Sequence, residues 1–510
     1  MGATEKVANV DVATEKNHNG VITDSDSSVT GQPPPTPTRS AGGWRGVVDT
    51  IVKFGRVEVR GISPIPVHER TVTQTVNVFT LWACMNTNVL PITFGMLGPV
   101  YGLGLRDSAL VILFFTLLTT CLPAYLSTLG PKTGMRQMIQ ARFSFGRYLV
   151  SVPVILNLAT LVGFCTIMAV IGGQCLSAVG GGSVSPAVGI VIVSLLALLI
   201  SFCGFSVLHI YERWAWIPAL VSIVIAVGCG GKYLKDQAPL AAPATAPSVL
   251  SFGMIVASYM IPWACLASDF TTYLEPKTSS TLIFAYTYLG LALPTILLMV
   301  LGAAIGGATP SVPAWEEGYN AYLVGGVMDA MLSPAGGFGK FITVVLSFTL
   351  LGNIAATSYS VTLNFQILAP VFKKVPRYAF SILTTIVVIP VGIRAAADFF
   401  LSLEYFIAMI GYWSAAFLGV VLVEHFWFRR GDCASYDIAV WDDASLLPPG
   451  VAALAAAVCS FGLVIPSMAQ VWWTGPIAET TGDIGFELAF VVTAVLYVPF
   501  RMVEKRISGR

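Results

Sequence analysis

The chain has 510 residues, with 28 Lys and Arg against 27 Asp and Glu and a formal net charge of +1. Hydrophobic residues make up 55% of it and charged residues only 11%, less than half of the roughly 25% carried by a soluble domain, so most of the chain is built for lipid. The balanced charge excludes bulk electrostatic attraction to nucleic acid or to acidic partners.

Residues 1–45 are rich in Thr, Ser, Asp, Asn and Pro, include Pro33-Pro34-Pro35 and hold no apolar stretch. Such a segment cannot bury a core and is expected to be a disordered tail. No short apolar segment follows a basic start, so no signal peptide is read, and the first span is expected to do the targeting. A bilayer core takes about 20 apolar residues as a helix. On that measure twelve spans follow, near 76–102, 107–129, 148–179, 187–208, 214–234, 250–274, 281–306, 339–369, 378–394, 399–427, 450–472 and 484–503. Helices are the choice because alternating strand patterns are absent and lipid leaves no backbone group unpaired. The expected fold is an all-α polytopic membrane protein, a twelve-helix domain over 46–505 with 506–510 as a short C-terminal end.

Lys132, Arg136, Arg142, Arg147, Lys373, Lys374, Arg377, Arg429 and Arg430 fall in alternate connections, together with the basic C-terminal end. The intervening connections hold few cations, and the long one at 307–338 carries Glu316, Glu317 and Asp329 instead. By the positive-inside rule both termini are expected in the cytoplasm. Eight of the nine cysteines lie in apolar spans and Cys433 in a polar loop; no spacing suggests a disulfide framework or a metal site. Trp472-Trp473 reads as part of an interfacial aromatic belt, and Glu424 and His425 as solvated residues near the cytoplasmic end of the tenth span.

Two spans are irregular. The first, WACMNTNVLPITFGMLG, carries Asn86, Asn88 and Pro91 at its middle. The sixth, SYMIPWACLASDFTTYL, carries Pro262, Trp263, Ser268 and Asp269. An offset of five spans reverses topology, so spans 1–5 and 6–10 would form an inverted repeat with broken helices in matching places. That arrangement points to the binding site of a secondary transporter, where unwound backbone offers free N–H and C=O groups. A channel would need a filter or re-entrant loop, and an enzyme a His/Asp/Glu cluster on one face; neither pattern is present in the sequence.

VEVRGISPIPVHERT at 57–71, the first helix, VGFCTIMAVIGGQCLSAV at 162–179, PWACLASDFTTYLEP at 262–276 and SFTLLGNIAATSYSVTLNFQ at 347–366 together resemble the purine–cytosine permeases, nucleobase–cation symporters, with the fungal branch most similar. The resemblance spans about residues 45–505. It implies a leucine-transporter-type fold of five plus five helices and two more, a substrate held between helices 1, 3, 6 and 8, and proton-coupled uptake at the plasma membrane. No cofactor is implied; the partners are a small heterocycle, a coupling cation and the bilayer.

Within that resemblance Trp263 matches the tryptophan that stacks on the flat base, and Asn353 an eighth-helix asparagine whose amide offers both donor and acceptor to a base edge. Asn86 or Asn88, with Cys84 beside them, corresponds to the polar contact of helix 1. Three positions depart from the pattern. Phe164 and Met168 replace a tryptophan and an asparagine in helix 3, and Thr357 replaces a second asparagine in helix 8. Losing amide partners redirects selectivity, so a pyridine such as vitamin B6 or a nucleoside stays open beside cytosine, adenine or hypoxanthine. For coupling, Asp269 is a candidate proton site or an anchor for the unwound helix, because charge inside a membrane helix reads as functional. Thr357 and Ser358 resemble the hydroxyls of a sodium site in sodium-coupled relatives.

Overall fold

The computed structural model describes residues 61–202 and 214–510. The expected tail at 1–45, the start of the 57–71 block and the far end of the fourth span, with Cys203, lie outside the described residues.

All twelve expected spans correspond to helices. Span 1 is split into Val76–Asn86 and Val89–Gly95. Span 2 is Leu105–Ser127, span 3 Ser151–Gly180, span 4 Pro186–Phe202 and span 5 Trp216–Gly230. Span 6 runs as an α-helix over Ala246–Met260 and then unwinds into tighter turns at Ile261–Cys265 and Ala267–Phe270. Span 7 is Ser280–Ala308, span 8 is Gly336–Phe348 with Leu350–Leu368, and span 9 is Arg377–Ala395. Span 10 is Phe399–Val423, span 11 Val451–Val464 and span 12 Gly485–Ser508. Among the described residues eight helical stretches are long and apolar enough to cross a bilayer, two of which, Pro313–Leu368 and Arg377–Phe428, run through more than one helix; Val89–Val100, Pro186–Ser201 and Val451–Ser467 are shorter apolar helices.

The packing carries the internal symmetry that the two irregular spans imply. Span 2 packs on span 7, span 3 on span 8 and span 4 on span 9, each against its counterpart. Span 7 packs on span 1 and span 2 on span 6, a second pair related by exchanging the halves; spans 3 and 9 repeat the relation of spans 8 and 4. Spans 11 and 12 pack mainly on each other and on span 10, outside the repeat.

Three expectations are corrected. The 307–338 connection is not a loop: Pro313–Leu332 is helical, bent at Tyr322 and Leu323, where Leu323 takes φ 49°. Its Gly318 and Gly326 leave room for backbone to approach backbone across the bend, since a Cβ on Gly326 would stand 1.9 Å from the Gly318 carbonyl oxygen. Span 11 does not run to 472. Its helix ends at Val464, and Pro466, which has no N–H to give, precedes a hairpin pairing Ala469 with Thr474 and Gln470 with Trp473; Trp472 and Trp473 are exposed at that hairpin. Glu424 and His425 are buried rather than solvated. Glu424 accepts from Tyr497 at 2.8 Å and Arg501 at 3.1 Å and pairs with Arg429 at 3.2 Å, tying the end of span 10 to span 12.

The connections 2–3, 8–9 and 10–11 meet at one end of the bundle, as connections of like parity must. There Asp442 pairs with Arg142 and with Lys373, each at 2.7 Å, and with Arg147. Burial works against the charge on Asp442, but the Lys373, Arg142 and Arg147 cations outweigh it and hold its carboxyl below the usual range. The opposite end shows a different chemistry. Asp483, whose carboxyl burial pushes up, accepts from Tyr412, Gln470 and the backbone N–H groups of Ala469 and Gly485.

Candidate substrate site

The break in span 1 follows from its own asparagines. Thr87 leaves helical geometry, and Asn88 turns fully extended and caps the second half, its Oδ1 accepting the Leu90 N–H at 2.8 Å while its Nδ2 donates to the Met85 carbonyl at 2.8 Å. Asn86 donates to the Trp82 carbonyl at 3.0 Å and accepts from the Tyr259 hydroxyl at 2.9 Å and the Thr295 hydroxyl at 3.4 Å. Asn353 reaches across from span 8 and donates to the same Met85 carbonyl at 2.6 Å, while its Oδ1 accepts from Thr357 at 3.1 Å. Asn86, Asn88 and Asn353 thus converge on one unwound turn, and all three amides are engaged there by protein groups.

The break in span 6 presents rings. Trp263 is 6% exposed, and its ring lies nearly parallel to that of Phe164 from span 3, with centroids 6.4 Å apart and planes 19° apart. Its indole N–H meets no protein acceptor. Met168, one turn beyond Phe164 on the same helix, is fully buried. Trp263, Phe164, Asn353, Thr357, Asn86 and Asn88 therefore come from the four helices expected to hold the substrate.

Asp269 and Ser358 go elsewhere. The Asp269 carboxylate accepts the Gln137 backbone N–H at 2.9 Å, and its backbone carbonyl accepts from Arg136. Ser268 and Thr271 on either side donate to the Leu126 and Ser127 carbonyls, so the unwound turn is strapped to the end of span 2 and the 2–3 connection. Ser358 lies 4.0 Å from Cys165 of span 3.

Several residues of the site went unread in the sequence. Trp82 meets Trp263 edge-on at 5.7 Å and Phe270 at 5.4 Å. Tyr259 holds Asn86 and packs edge-on against Phe164. Phe406 of span 10 packs edge-on against Phe164 at 5.5 Å, over Gly163, where a Cβ would stand 1.8 Å from its ring. Helical spacing is the signal that marks two of them: Trp82 precedes Asn86, and Tyr259 precedes Trp263, by one turn. Before span 1, Arg70 of the HERT block donates to the Ile65 and Pro131 carbonyls at 2.8 Å, and Val72 pairs with Leu274 beyond the span 6 break. The described residues just before span 1 are thus tied to the 2–3 connection and, through Val72, to the chain beyond the span 6 break.

A cavity of about 1180 Å³ lies beside this site rather than in it. It lies among spans 3, 9, 10 and 11, has an almost wholly apolar lining and borders the site through Phe406. The chemistry expected of the substrate, ring stacking with polar edge contacts, belongs to Trp263 and Phe164.

Residues 64–488 match the family model described as a permease for cytosine/purines, uracil, thiamine, allantoin. The chain belongs to this permease family. It is 35% identical over 462 residues to the purine-cytosine permease fcyB of Emericella nidulans, covering 89% of this chain and 90% of that one. It is 33% identical to the purine-cytosine permease FCY2 of Saccharomyces cerevisiae, covering 89% of this chain and 87% of that one. The vitamin B6 transporter TPN1 of the same yeast is 27% identical over 512 residues, with 89% and 88% covered. In fold the chain is similar to Mhp1, a nucleobase-cation-symport-1 family transporter solved closed with bromovinylhydantoin bound, at TM-score 0.65 and 15% identity, with 88% of this chain and 96% of that one covered. The all-α inverted-repeat architecture and the resemblance to purine–cytosine permeases are borne out. The chain is a multi-pass membrane transporter of the nucleobase–cation symport family, and not an enzyme.

Proposed function

We propose that this permease imports a nucleobase of the cytosine, adenine and hypoxanthine class together with a proton, by alternating access, at the plasma membrane with its basic end in the cytoplasm. The carrying observation is the parallel Phe164–Trp263 pair at 6.4 Å. A flat ring held between two aromatic faces needs a gap of roughly 7 Å, twice the carbon–carbon contact distance of about 3.5 Å, so the pair must part to admit one. Asn353 and a span 1 asparagine read the substrate edge by exchanging their present bonds. Asp269 and Ser358 are the proposed coupling residues; a proton on Asp269 weakens its hold on the Gln137 N–H and loosens the strap on the unwound turn.

A second reading is vitamin B6 or another planar heterocycle. It is favoured by Met168, a fully buried apolar side chain where the resemblance leads one to expect an amide, and by the similarity to a vitamin B6 transporter. Uptake of labelled cytosine, adenine, hypoxanthine and pyridoxine in a permease-null host, with and without a proton uncoupler, separates the two. Entry of the bases, stopped by the uncoupler, is the expected result; entry of pyridoxine alone selects the second reading, and entry of none refutes both.

A further inference from the structure

The rings at the substrate level continue toward the basic end. Trp82 bridges Trp263 and Phe270, and Phe270 faces Tyr359 of span 8 with centroids 6.5 Å apart and planes 37° apart. That spacing matches the 6.4 Å of the Phe164–Trp263 pair. Three polar side chains lie on, beside or packed against the elements that carry the second pair. Thr272 follows Phe270 by two residues and Ser360 adjoins Tyr359. Gln137 belongs to the short helix Gln137–Gln140, which packs against both span 8 and the 267–270 turn. All three are fully buried, and both hydroxyls and both amide atoms of Gln137 meet no protein partner.

Leaving a buried polar group unpaired is costly, and here four such atoms lie on the elements that carry this pair of rings and on the helix packed against them. At the level of Trp263 the situation is reversed, because the asparagine amides there are already engaged. An aromatic pair with an unspent amide carrying both a donor and an acceptor is the chemistry that recognises a planar heterocycle with a polar edge.

We infer that Phe270, Tyr359 and Gln137 form a second binding station for the transported heterocycle, on its way from Trp263 to the basic end, with Thr272 and Ser360 completing its polar rim. The inference rests on the transport reading of the Trp263 site. In the present state the station is covered: the Arg136 guanidinium stands 5.7 Å from the Tyr359 ring and the Arg377 guanidinium 5.6 Å. An arriving ring takes over the face that Arg136 gives up as this end opens. The same movement that unlocks the exit thus uncovers the surface that receives the substrate.

The test measures KM separately from each side of the membrane. Protein is reconstituted in one orientation, and labelled hypoxanthine, cytosine or pyridoxine is used, whichever enters in the uptake assay. Gln137→Leu is expected to raise KM from the basic-end side roughly fivefold, the scale of one or two lost hydrogen bonds, and to leave KM from the other side unchanged. Ser360→Ala and Thr272→Val, which remove one unpartnered hydroxyl each, act in the same direction and keep the test open if Gln137→Leu does not fold. Tyr359→Leu joins them, while Tyr359→Phe keeps the ring and stays near the parent. Melting separates the station from a structural role, because removing an unpaired buried group leaves thermal stability level or higher even as binding weakens. Equal shifts from both sides, or none, overturn the station. Failure of the parent protein to move any of the three probes overturns the transport reading instead, and the station with it.

Discussion

The two broken helices hold their unwound turns by opposite means. In span 1 the break is two residues long and is supported by side chains next to it: Asn88 caps the following helix and Asn86 binds back to Trp82. In span 6 the irregular stretch runs from Ile261 to Phe270 without any side-chain cap. Its polar groups are met from outside, by Leu126, Ser127, Arg136 and Gln137. The span 1 break is also reached by Asn353, Tyr259 and Thr295 from other spans, but it carries its own cap. A break supported by another element is coupled to it, so the span 6 turn and the 2–3 connection shift together.

The largest effect expected from that contrast is at Asp269. Asp269→Ala leaves the buried Gln137 N–H without its charged acceptor and should cost about 3 kcal/mol, seen as a lower melting temperature and lost uptake, whereas Asp269→Asn keeps an acceptor and most of the stability. If Asp269 also carries the coupled proton, the Asn variant folds but its uptake no longer responds to an uncoupler. Trp263→Ala comes next, with about 2 kcal/mol of stacking lost and KM raised roughly 30-fold; an unchanged KM would remove Trp263 from the site. Asn88→Ala should cost about 1 kcal/mol of capping, recovered by Asn88→Ser or Asn88→Asp. A larger loss of stability at Asn88 than at Asp269 would reverse the contrast between the two breaks.

The smallest effect is at the basic end and depends on pH. The folded Asp442 carboxyl titrates below its unfolded value of about 3.9. Its contribution is therefore complete above that value and is lost as pH falls through the folded one. The melting gap between parent and Asp442→Asn should be flat from about pH 8 to about pH 5 and close only below about pH 4. A gap that closes near neutrality would mean that the three cations do not hold Asp442 as their geometry requires.

What could be read in the sequence tracks the range of the interactions. Apolar length marked the spans, and local polar residues marked the breaks, because both are properties of neighbouring positions. The Asn88 cap acts within two residues and was legible as an asparagine in an apolar helix. The partners of Asp269 lie more than 130 positions away, and no local pattern announces them. Pro313–Leu332 fell inside the connection read at 307–338, and its bend at Tyr322 and Leu323 has no local signature. The resemblance placed Trp263, Phe164 and Asn353 in one site; in the structure Trp263 lies parallel to Phe164, and Asn353 reaches the Met85 carbonyl in the span 1 break. It gave no sign that the asparagine amides would be bound to the Met85 and Trp82 carbonyls, since backbone exposed by unwinding has no sequence signature of its own.

The outer half of span 1 meets span 7 with almost nothing between their backbones. A Cβ on Gly95 would stand 1.9 Å from the Met299 carbonyl oxygen, and one on Gly302 2.0 Å from that of Ile92. Two rods in such contact cannot part or slide without losing it, so they travel as one lever with its pivot at Thr87–Asn88. Span 7 leads through Thr309–Ser311 directly into the bent surface helix Pro313–Leu332. On the proposed reading, a tilt that begins with a ring arriving beside Asn86, which Thr295 of span 7 touches, is delivered about 20 Å along the helix from Thr295 to Ala308, where a spectroscopic label on the Pro313–Leu332 helix would report transport without touching the substrate.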